Sequence, residues 1–317
     1  LPSNSSAVMY ALTNEALSRI LPDDVLFEVR MLEDGIIKHK DRADDLYHRF
    51  PEKGTKLIVG FVAVQTAQFP RACDLIDRWQ KVGAICVIGG FHVSGSIATM
   101  LDGVSDANRP TIPSPHQMPA EIQTVMDRGV VVFHGEAEDA WSSVLTDIIE
   151  GVPKQLYRGG MPDLSKAPLP LFEHGYFTES FATSIDTFDT GRGCPFTCSF
   201  CTIINVQGRK SRYREPAAII KQVKRICEIR GSAAFFLTDD NYGRNPRWEE
   251  ILDGFIALRQ QGYKISFMIE ADLACGKIPR FIPKLAAAGC TQIFMGVESM
   301  RPDNLALAQK RQNKVAD

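Results

Sequence analysis

The stretch Gly191-Arg192-Gly193-Cys194-Pro195-Phe196-Thr197-Cys198-Ser199-Phe200-Cys201 decides how the second half of this chain is read. Its three cysteines stand at C-x3-C-x2-C spacing, among two glycines and a proline. Thiolates are soft ligands suited to iron–sulfur clusters and zinc. Three of them on so short a loop point to one shared metal site. A structural zinc ion asks for a fourth Cys or His close by, and the next cysteine is Cys227, in the middle of a helical spacing. A [4Fe–4S] cluster held by Cys194, Cys198 and Cys201 fits better, because it leaves one iron open to a small molecule.

Outward from that loop, short apolar runs alternate with helical spacings. Residues 184–189 read as a strand feeding the cysteines, followed by helix 216–230, strand 233–238, helix 247–261, strand 265–269, helix 278–288 and strand 291–295. Upstream, 56–62, 84–90 and 130–133 are β-branched runs of the kind buried on both faces of a sheet. Helices at 70–82 and 119–128 separate them, and another follows at 137–150. Strands alternating with helices imply parallel sheets with right-handed crossovers. The expected fold is α/β throughout, with a Rossmann-like parallel sheet in residues 1–150 and a partial, TIM-like β/α barrel in 182–317. Residues 151–181, rich in Pro and Gly, read as the linker. His174 and Tyr176 within it read as packing residues. Nearer the start, 25–30 alternates like a half-buried strand and 38–49 reads as a solvated helix.

The bulk composition is that of an ordinary globular protein: 317 residues, 44% hydrophobic, 23% charged, net charge −2. That balance argues against nucleic acid or an anionic membrane as an obligatory partner. No apolar run approaches the length of a bilayer span, and the opening residues are not a signal peptide. Eight cysteines, three of them clustered, suit a reducing compartment better than a disulfide scaffold, so a cytoplasmic location is expected. Cys227, Cys275 and Cys290 lack metal spacing and read as packing residues.

The cysteine loop, with Arg192-Gly193-Cys194-Pro195 before it and the aromatic Phe200 directly before the third cysteine, resembles the signature of the radical S-adenosylmethionine (SAM) enzymes. The resemblance implies that the three cysteines hold a [4Fe–4S] cluster and that SAM binds the open iron through its amine and carboxylate. One electron from the reduced cluster would then cleave SAM to methionine and a 5′-deoxyadenosyl radical, which abstracts a substrate hydrogen. It also implies a small-molecule or peptide substrate, and an electron donor such as flavodoxin or ferredoxin. Polar residues fall at the carboxyl ends of successive strands, where barrel chemistry gathers. Asp239 and Asp240 follow the second strand and are assigned to the amino end of SAM, with only one of them expected to touch it. Glu270 and Asp272 end the third strand. Gly296-Val297-Glu298-Ser299 resembles the family's Gly-x-Glu-Ser, in which the Glu contacts SAM. Buried unpaired carboxylates are costly, and ribose hydroxyls and an ammonium group are suitable partners. In the basic run 208–214, Arg212 or Arg214 is expected to fork the SAM carboxylate. The family continues past its Glu with further β/α units, so the barrel is expected to be incomplete at Asp317.

The first half resembles the cobalamin-binding domain that often precedes a radical SAM core. The resemblance rests on Gly89-Gly90-Phe91-His92 at the end of one strand, where glycines let backbone approach a ligand, and on Gly135-Glu136-Ala137-Glu138 after the next. It implies cobalamin contacts at Gly89, Gly90 and His92. One departure stands out: where such domains carry Asp-x-His-x-x-Gly, this chain reads Ala63-Val64-Gln65-Thr66-Ala67-Gln68-Phe69, without histidine. The implied activity is cobalamin-dependent methylation of an unactivated carbon. The alternatives are radical SAM chemistry without methyl transfer (cyclisation, rearrangement or oxidation) and a non-catalytic zinc or iron–sulfur binding protein. A methylthiotransferase would need three further cluster cysteines in the first half, which holds only Cys73 and Cys86.

Overall fold

The computed structural model describes residues 3–49, 54–103, 114–171 and 185–314. His174 and Tyr176 lie outside the described residues. The chain divides into two compact units: one is Ser5–Pro162 with Pro170–Thr183, the other Leu1–Asn4, Asp163–Leu169 and Ser184–Asp317.

In the first unit, β1 (Ile58–Phe61), β2 (Ile85–Gly89), β3 (Val131–His134) and β4 (Leu156–Arg158) form one parallel sheet in that spatial order. Side chains alternate across a strand, so neighbouring apolar residues serve opposite faces. Ile88 and Val132 pack with Ile76 of the helix Phe69–Gln80 and with Ile122 and Val125 of the helix Ala120–Asp127. Val87, Val131 and Phe133 pack with Val8, Leu12 and Ala16 of the helix Asn4–Ile20 and with Val144 and Ile148 of the helix Trp141–Glu150. Both faces are covered, which is why the strands read as continuous apolar runs.

Two expectations are corrected here. Residues 25–30 form no strand, and Leu26 is 95% exposed: the alternation meets neither a partner strand nor a core. Conversely, β4 lies inside the stretch read as linker. Tyr157 is its buried residue, with the Tyr157 hydroxyl donating to Asp147 at 2.7 Å, and three residues are too few to show a period. The helix expected at 38–49 is present as Ile37–Arg49, with Ala43, Leu46 and Tyr47 packed against the core of this unit.

The second unit contains β5 (Ile185–Phe188), β6 (Gly191–Arg192), β7 (Arg212–Tyr213), β8 (Ala233–Leu237), β9 (Ile265–Ala271) and β10 (Cys290–Met295). β5, β8, β9 and β10 lie side by side and parallel, in sequence order. Helices Pro216–Arg230, Trp248–Gln260 and Phe281–Ala288 cover one face, where Phe235, Leu237, Phe267 and Ile269 meet Ile219, Phe255 and Leu285. Phe235 and Phe267 stack with centroids 5.4 Å apart. Burying each such ring is worth about 1.5–3 kcal/mol. On the other face the register pairs Phe236 with Met268 and Glu270 with Phe294, and none of these four is buried. A parallel arc with helices on one face and a side-chain-lined face opposite is part of a β/α barrel.

Candidate functional site

The cysteine loop leaves β5 through a tight crossing. β6 and β7 form an antiparallel ladder, Gly191 opposite Tyr213 and Arg192 opposite Arg212, which pins both ends of the segment carrying the cysteines. Gly193 has φ +92°, and a Cβ there would sit 2.5 Å from the Lys210 carbonyl oxygen, so the Arg192-Gly193-Cys194 run needs its glycine. The Cys194 amide donates to the Gly208 carbonyl at 3.2 Å.

None of the eight cysteines is in a disulfide. Burial pushes the Cys194 and Cys201 thiols up, and their mutual repulsion with neighbouring thiolates and Asp240 adds to it. Against this stand N–H donors aimed at sulfur. The Phe196 amide and the Asn241 side chain donate to Cys194, the Ile203 and Ile204 amides donate to Cys201, and Gln312 Nε2 lies 3.5 Å from Cys198 Sγ. Sulfurs met by such donors, one buried and two half-buried, suit metal-bound thiolates, because coordination removes the proton outright. Among the described residues, no group of three His, Cys, Asp or Glu side chains is close enough to hold a single metal ion. Three cysteine thiols on one short loop are a donor set that an iron–sulfur cluster takes.

The acids at the strand ends divide into those the protein itself occupies and those it leaves open. Asp239 is buried and accepts from the Thr190 amide and hydroxyl, both at 2.6 Å. Burial raises its carboxyl to about 6. Asp239 thereby fastens the turn after β5 to the end of β8. Asp240 accepts only a long bond, 3.3 Å, from the Gly193 amide, and burial raises it to about 7 with help from the charges of Asp239 and Glu270. Asp272 is clamped by Arg244 through two bonds of 2.8 and 2.9 Å and by Asn241 at 2.9 Å. Burial works against its charge, but these partners outweigh it and hold its carboxyl below the usual range. Glu270, two residues earlier and on the open face of β9, has its carboxyl raised by desolvation.

The arginines sort likewise. Arg214 is 1% exposed and makes two bonds of 3.2 Å to Asp189 and one of 3.0 Å to the Pro168 carbonyl. Burial alone would raise Asp189, but Arg192 and Arg214 together hold it well below the carboxylate range. Arg214 is thus the counter-ion of a buried aspartate, and its guanidinium is spoken for. Arg212 donates to the Gln207 carbonyl at 3.0 Å from its place on β7.

After β10, Glu298 has φ +61° and pairs with Lys310 at 2.7 Å. A Cβ on Gly296 would lie 2.5 Å from the Glu298 carboxylate and 2.6 Å from Lys310 Nζ, so the ion pair sits directly over Gly296. Phe200, more than half exposed, has its ring 5.6 Å from the same ammonium. Several residues here escape a reading of the sequence. Arg244 spans from Asp272 to the ring of Phe196, 5.1 Å away in the cysteine loop. Asn241 reaches both Cys194 and Asp272. The one available signal was position, since 241–245 directly follows the paired acids.

In the first unit, Gly89 and Gly90 are explained by the protein's own backbone. Gly90 has φ +132° and a Cβ there would overlap Ala63 and Val64, whose amide donates to the Gly89 carbonyl at 3.1 Å. The His92 ring lies 3.3 Å from the Thr66 hydroxyl, 3.1 Å from Glu121 and 4.3 Å, centroid to centroid, from Phe69. The sequence reading passed over His134, at the carboxyl end of β3. Its ring nitrogens are buried without a hydrogen bond, Asp102 lies 3.5 Å away, and burial lowers its pKa, favouring the neutral imidazole.

Comparison with known proteins bears on the fold. Bacteriochlorophyllide d C-8(2)-methyltransferase of Chlorobaculum tepidum is 27% identical over 287 residues, 86% of this chain and 56% of that protein. Hopanoid C-2 methylase of Rhodopseudomonas palustris is 29% identical over 155 residues, 48% of this chain and 28% of that protein. The chain therefore spans about half, or less, of the length of the curated relatives it matches. Among solved structures, the radical SAM methyltransferase TsrM of Kitasatospora setae, with cobalamin and a [4Fe–4S] cluster bound, superposes with a TM-score of 0.65 at 18% identity, covering 96% of this chain and 60% of that one. The cobalamin-dependent SAM radical enzyme OxsB superposes with a TM-score of 0.57 at 16% identity, over 95% of this chain and 44% of that one. At these identities the superpositions establish the fold. Residues 188–316 match the radical SAM superfamily.

Proposed function

We propose that this chain carries the cobalamin-binding and radical SAM portions of an enzyme that methylates an unactivated carbon of a small-molecule substrate. The observation that carries the radical SAM part is the loop of Cys194, Cys198 and Cys201, each sulfur met by an N–H donor, at the carboxyl end of a parallel arc. The methyl-transfer part draws support from relatives named as methyltransferases. When bound, a [4Fe–4S] cluster supplies the electron that cleaves SAM, and cobalamin supplies a transferable methyl group.

The chain's own residues would do the positioning. Cys194, Cys198 and Cys201 ligate three irons. Asp240 and Glu270 are the acids best placed to receive the ammonium and ribose hydroxyls of SAM, because the protein leaves them under-paired while it saturates Asp239 and Asp272. Burial now favours the neutral form of both, and an ammonium brought against either would favour the charged form. Glu298, held by Lys310, would meet SAM from the far strand. The Arg212 guanidinium would meet its carboxylate. In the first unit, His92 and His134 are both candidates to meet a corrin, since Nε2 of His92 and both ring nitrogens of His134 are buried without a hydrogen bond. Phe236, Met268 and Phe294 would keep water from the open face. Chemistry of this kind also requires a one-electron donor.

The test is anaerobic reconstitution with iron, sulfide and hydroxocobalamin, followed by desalting and metal analysis. About four irons per chain, lost when Cys194, Cys198 and Cys201 are all replaced by alanine, together with about one cobalt, is expected. Iron without cobalt would remove methyl transfer. A folded sample with neither metal would refute the whole reading.

A further inference from the structure

The segment that follows the helix Pro302–Leu307 turns back onto the cysteine loop and ties it to the end of β10. Four of its residues make the tie. The Ser199 amide donates to the Ala308 carbonyl at 3.0 Å. Lys310 Nζ pairs with Glu298 at 2.7 Å and lies 5.6 Å from the centre of the Phe200 ring. Asn313 Nδ2 donates to the Gly296 and Val297 carbonyls at 2.9 and 3.0 Å, which braces the turn that holds Glu298 at positive φ. Between Lys310 and Asn313, which are 7% and 6% exposed, Gln312 Nε2 lies 3.5 Å from Cys198 Sγ.

Gln312 is therefore not the tip of a loose tail. Residues on both sides of it are buried and bonded, so its amide is delivered to one place. Its other end, Oε1, is buried with no partner, so the bond to sulfur is not the by-product of a second attachment. A metal-bound thiolate has no proton and can only accept, which fixes the amide with nitrogen toward sulfur.

We propose that Gln312 is a positioning residue for the cluster, whose N–H···S bond to Cys198 raises the cluster's reduction potential. This rests on the reading that Cys194, Cys198 and Cys201 hold a [4Fe–4S] cluster. One-electron reduction adds one negative charge at the cluster, takes the electron from an external reductant, and makes or breaks no bond in the chain. An N–H dipole aimed at a ligand sulfur stabilises the more negative, reduced state, and hydrogen bonds to sulfur are among the levers that set such potentials. Because Lys310 sits two residues away on the same strap, the segment that tunes the cluster is also the segment that holds Glu298.

The experiment is a redox titration of the reconstituted full chain, with dithionite as reductant and the reduced cluster followed by electron paramagnetic resonance. Three proteins are compared: wild type, Gln312→Leu, which removes the donor at similar volume, and Gln312→Glu, which keeps the length but presents an acceptor and a negative charge. The midpoint should shift to more negative potential in Gln312→Leu and further in Gln312→Glu, with iron per chain unchanged. An unchanged midpoint in both variants would overturn the proposal. So would loss of iron from both, because Gln312 would then be a residue needed to form the loop rather than to tune it. A wild type that takes up no four-iron cluster would instead overturn the reading beneath it, and the two failures are told apart by the wild-type iron content.

Discussion

Replacing Arg214 by methionine tests whether this arginine is a structural counter-ion or a SAM contact. The side chains of Arg214 and Asp189 are 1% and 2% exposed, and the pair is joined by two bonds of 3.2 Å. Removing one partner of such a buried pair costs about 3–5 kcal/mol, because the other charge stays buried. Arg192 remains 2.9 Å from the same carboxylate, so the low end, about 3 kcal/mol, is expected. At roughly 2–4 °C per kcal/mol, the melting temperature of the cluster-free protein should fall by about 6–12 °C at pH 7. The sign with pH follows from Asp189. Its folded pKa is depressed, so its contribution is present above the unfolded value near 4 and is lost as the pH falls through the folded one. The gap between wild type and Arg214→Met should therefore narrow only as the pH drops below about 4. Adding Asp189→Asn should restore part of the lost stability. Calorimetry at pH 7 and about pH 3, with SAM affinity from equilibrium dialysis of the reconstituted protein, makes the decision. A melting temperature within about 2 °C of wild type, with SAM affinity down tenfold or more, would refute the counter-ion argument.

Three further outcomes are expected. Gly193→Ala must place a Cβ 2.5 Å from the Lys210 carbonyl at φ +92°, so reconstituted iron should fall to less than half while the far-ultraviolet circular dichroism is kept; full iron would show that the loop relaxes freely. Gly90→Ala should lower stability by about 3 kcal/mol or more through overlap with the Val64 backbone, and hydrogen exchange at the Val64 amide should speed up while iron uptake stays normal. Asp239 and Asp240 have folded pKa values raised to about 6 and about 7, so the folded state binds more protons than the unfolded one between about pH 4 and 7. In that window urea midpoints of the cluster-free protein should fall as the pH rises, and Asp239→Asn should flatten the slope. An unchanged slope would mean that the pair ionises normally.

Most of the parallel strands could be read in advance because they are short apolar runs; β4, three residues long, could not. The cysteine loop could be read because metal chemistry restricts both residue type and spacing. What could not be read depends on partners far along the chain. Asp239 meets Thr190 from 49 residues away, Arg214 meets Asp189 from 25, and Arg244 meets Asp272 from 28. Nothing local separates these saturated side chains from Asp240, which accepts one long bond. The helix Asn4–Ile20 was silent for another reason: its buried face is built largely of alanine, with Val8 and Leu12, amid Asn, Ser and Thr. Residues 25–30 misled in the opposite direction, since alternation marks a strand only where a neighbouring strand exists to receive it.

The strap that delivers Gln312 also sets a clock. Cys198 meets its donor 114 residues later in the chain. At ribosomal rates of about 5–20 residues per second, that separation corresponds to roughly 6–23 s in which the three thiols have been made and their cover has not. A site completed by so distant a contact is a poor receiver of iron during synthesis. Its natural order of assembly is polypeptide first and cluster second, with the loop reduced and guarded in the interval.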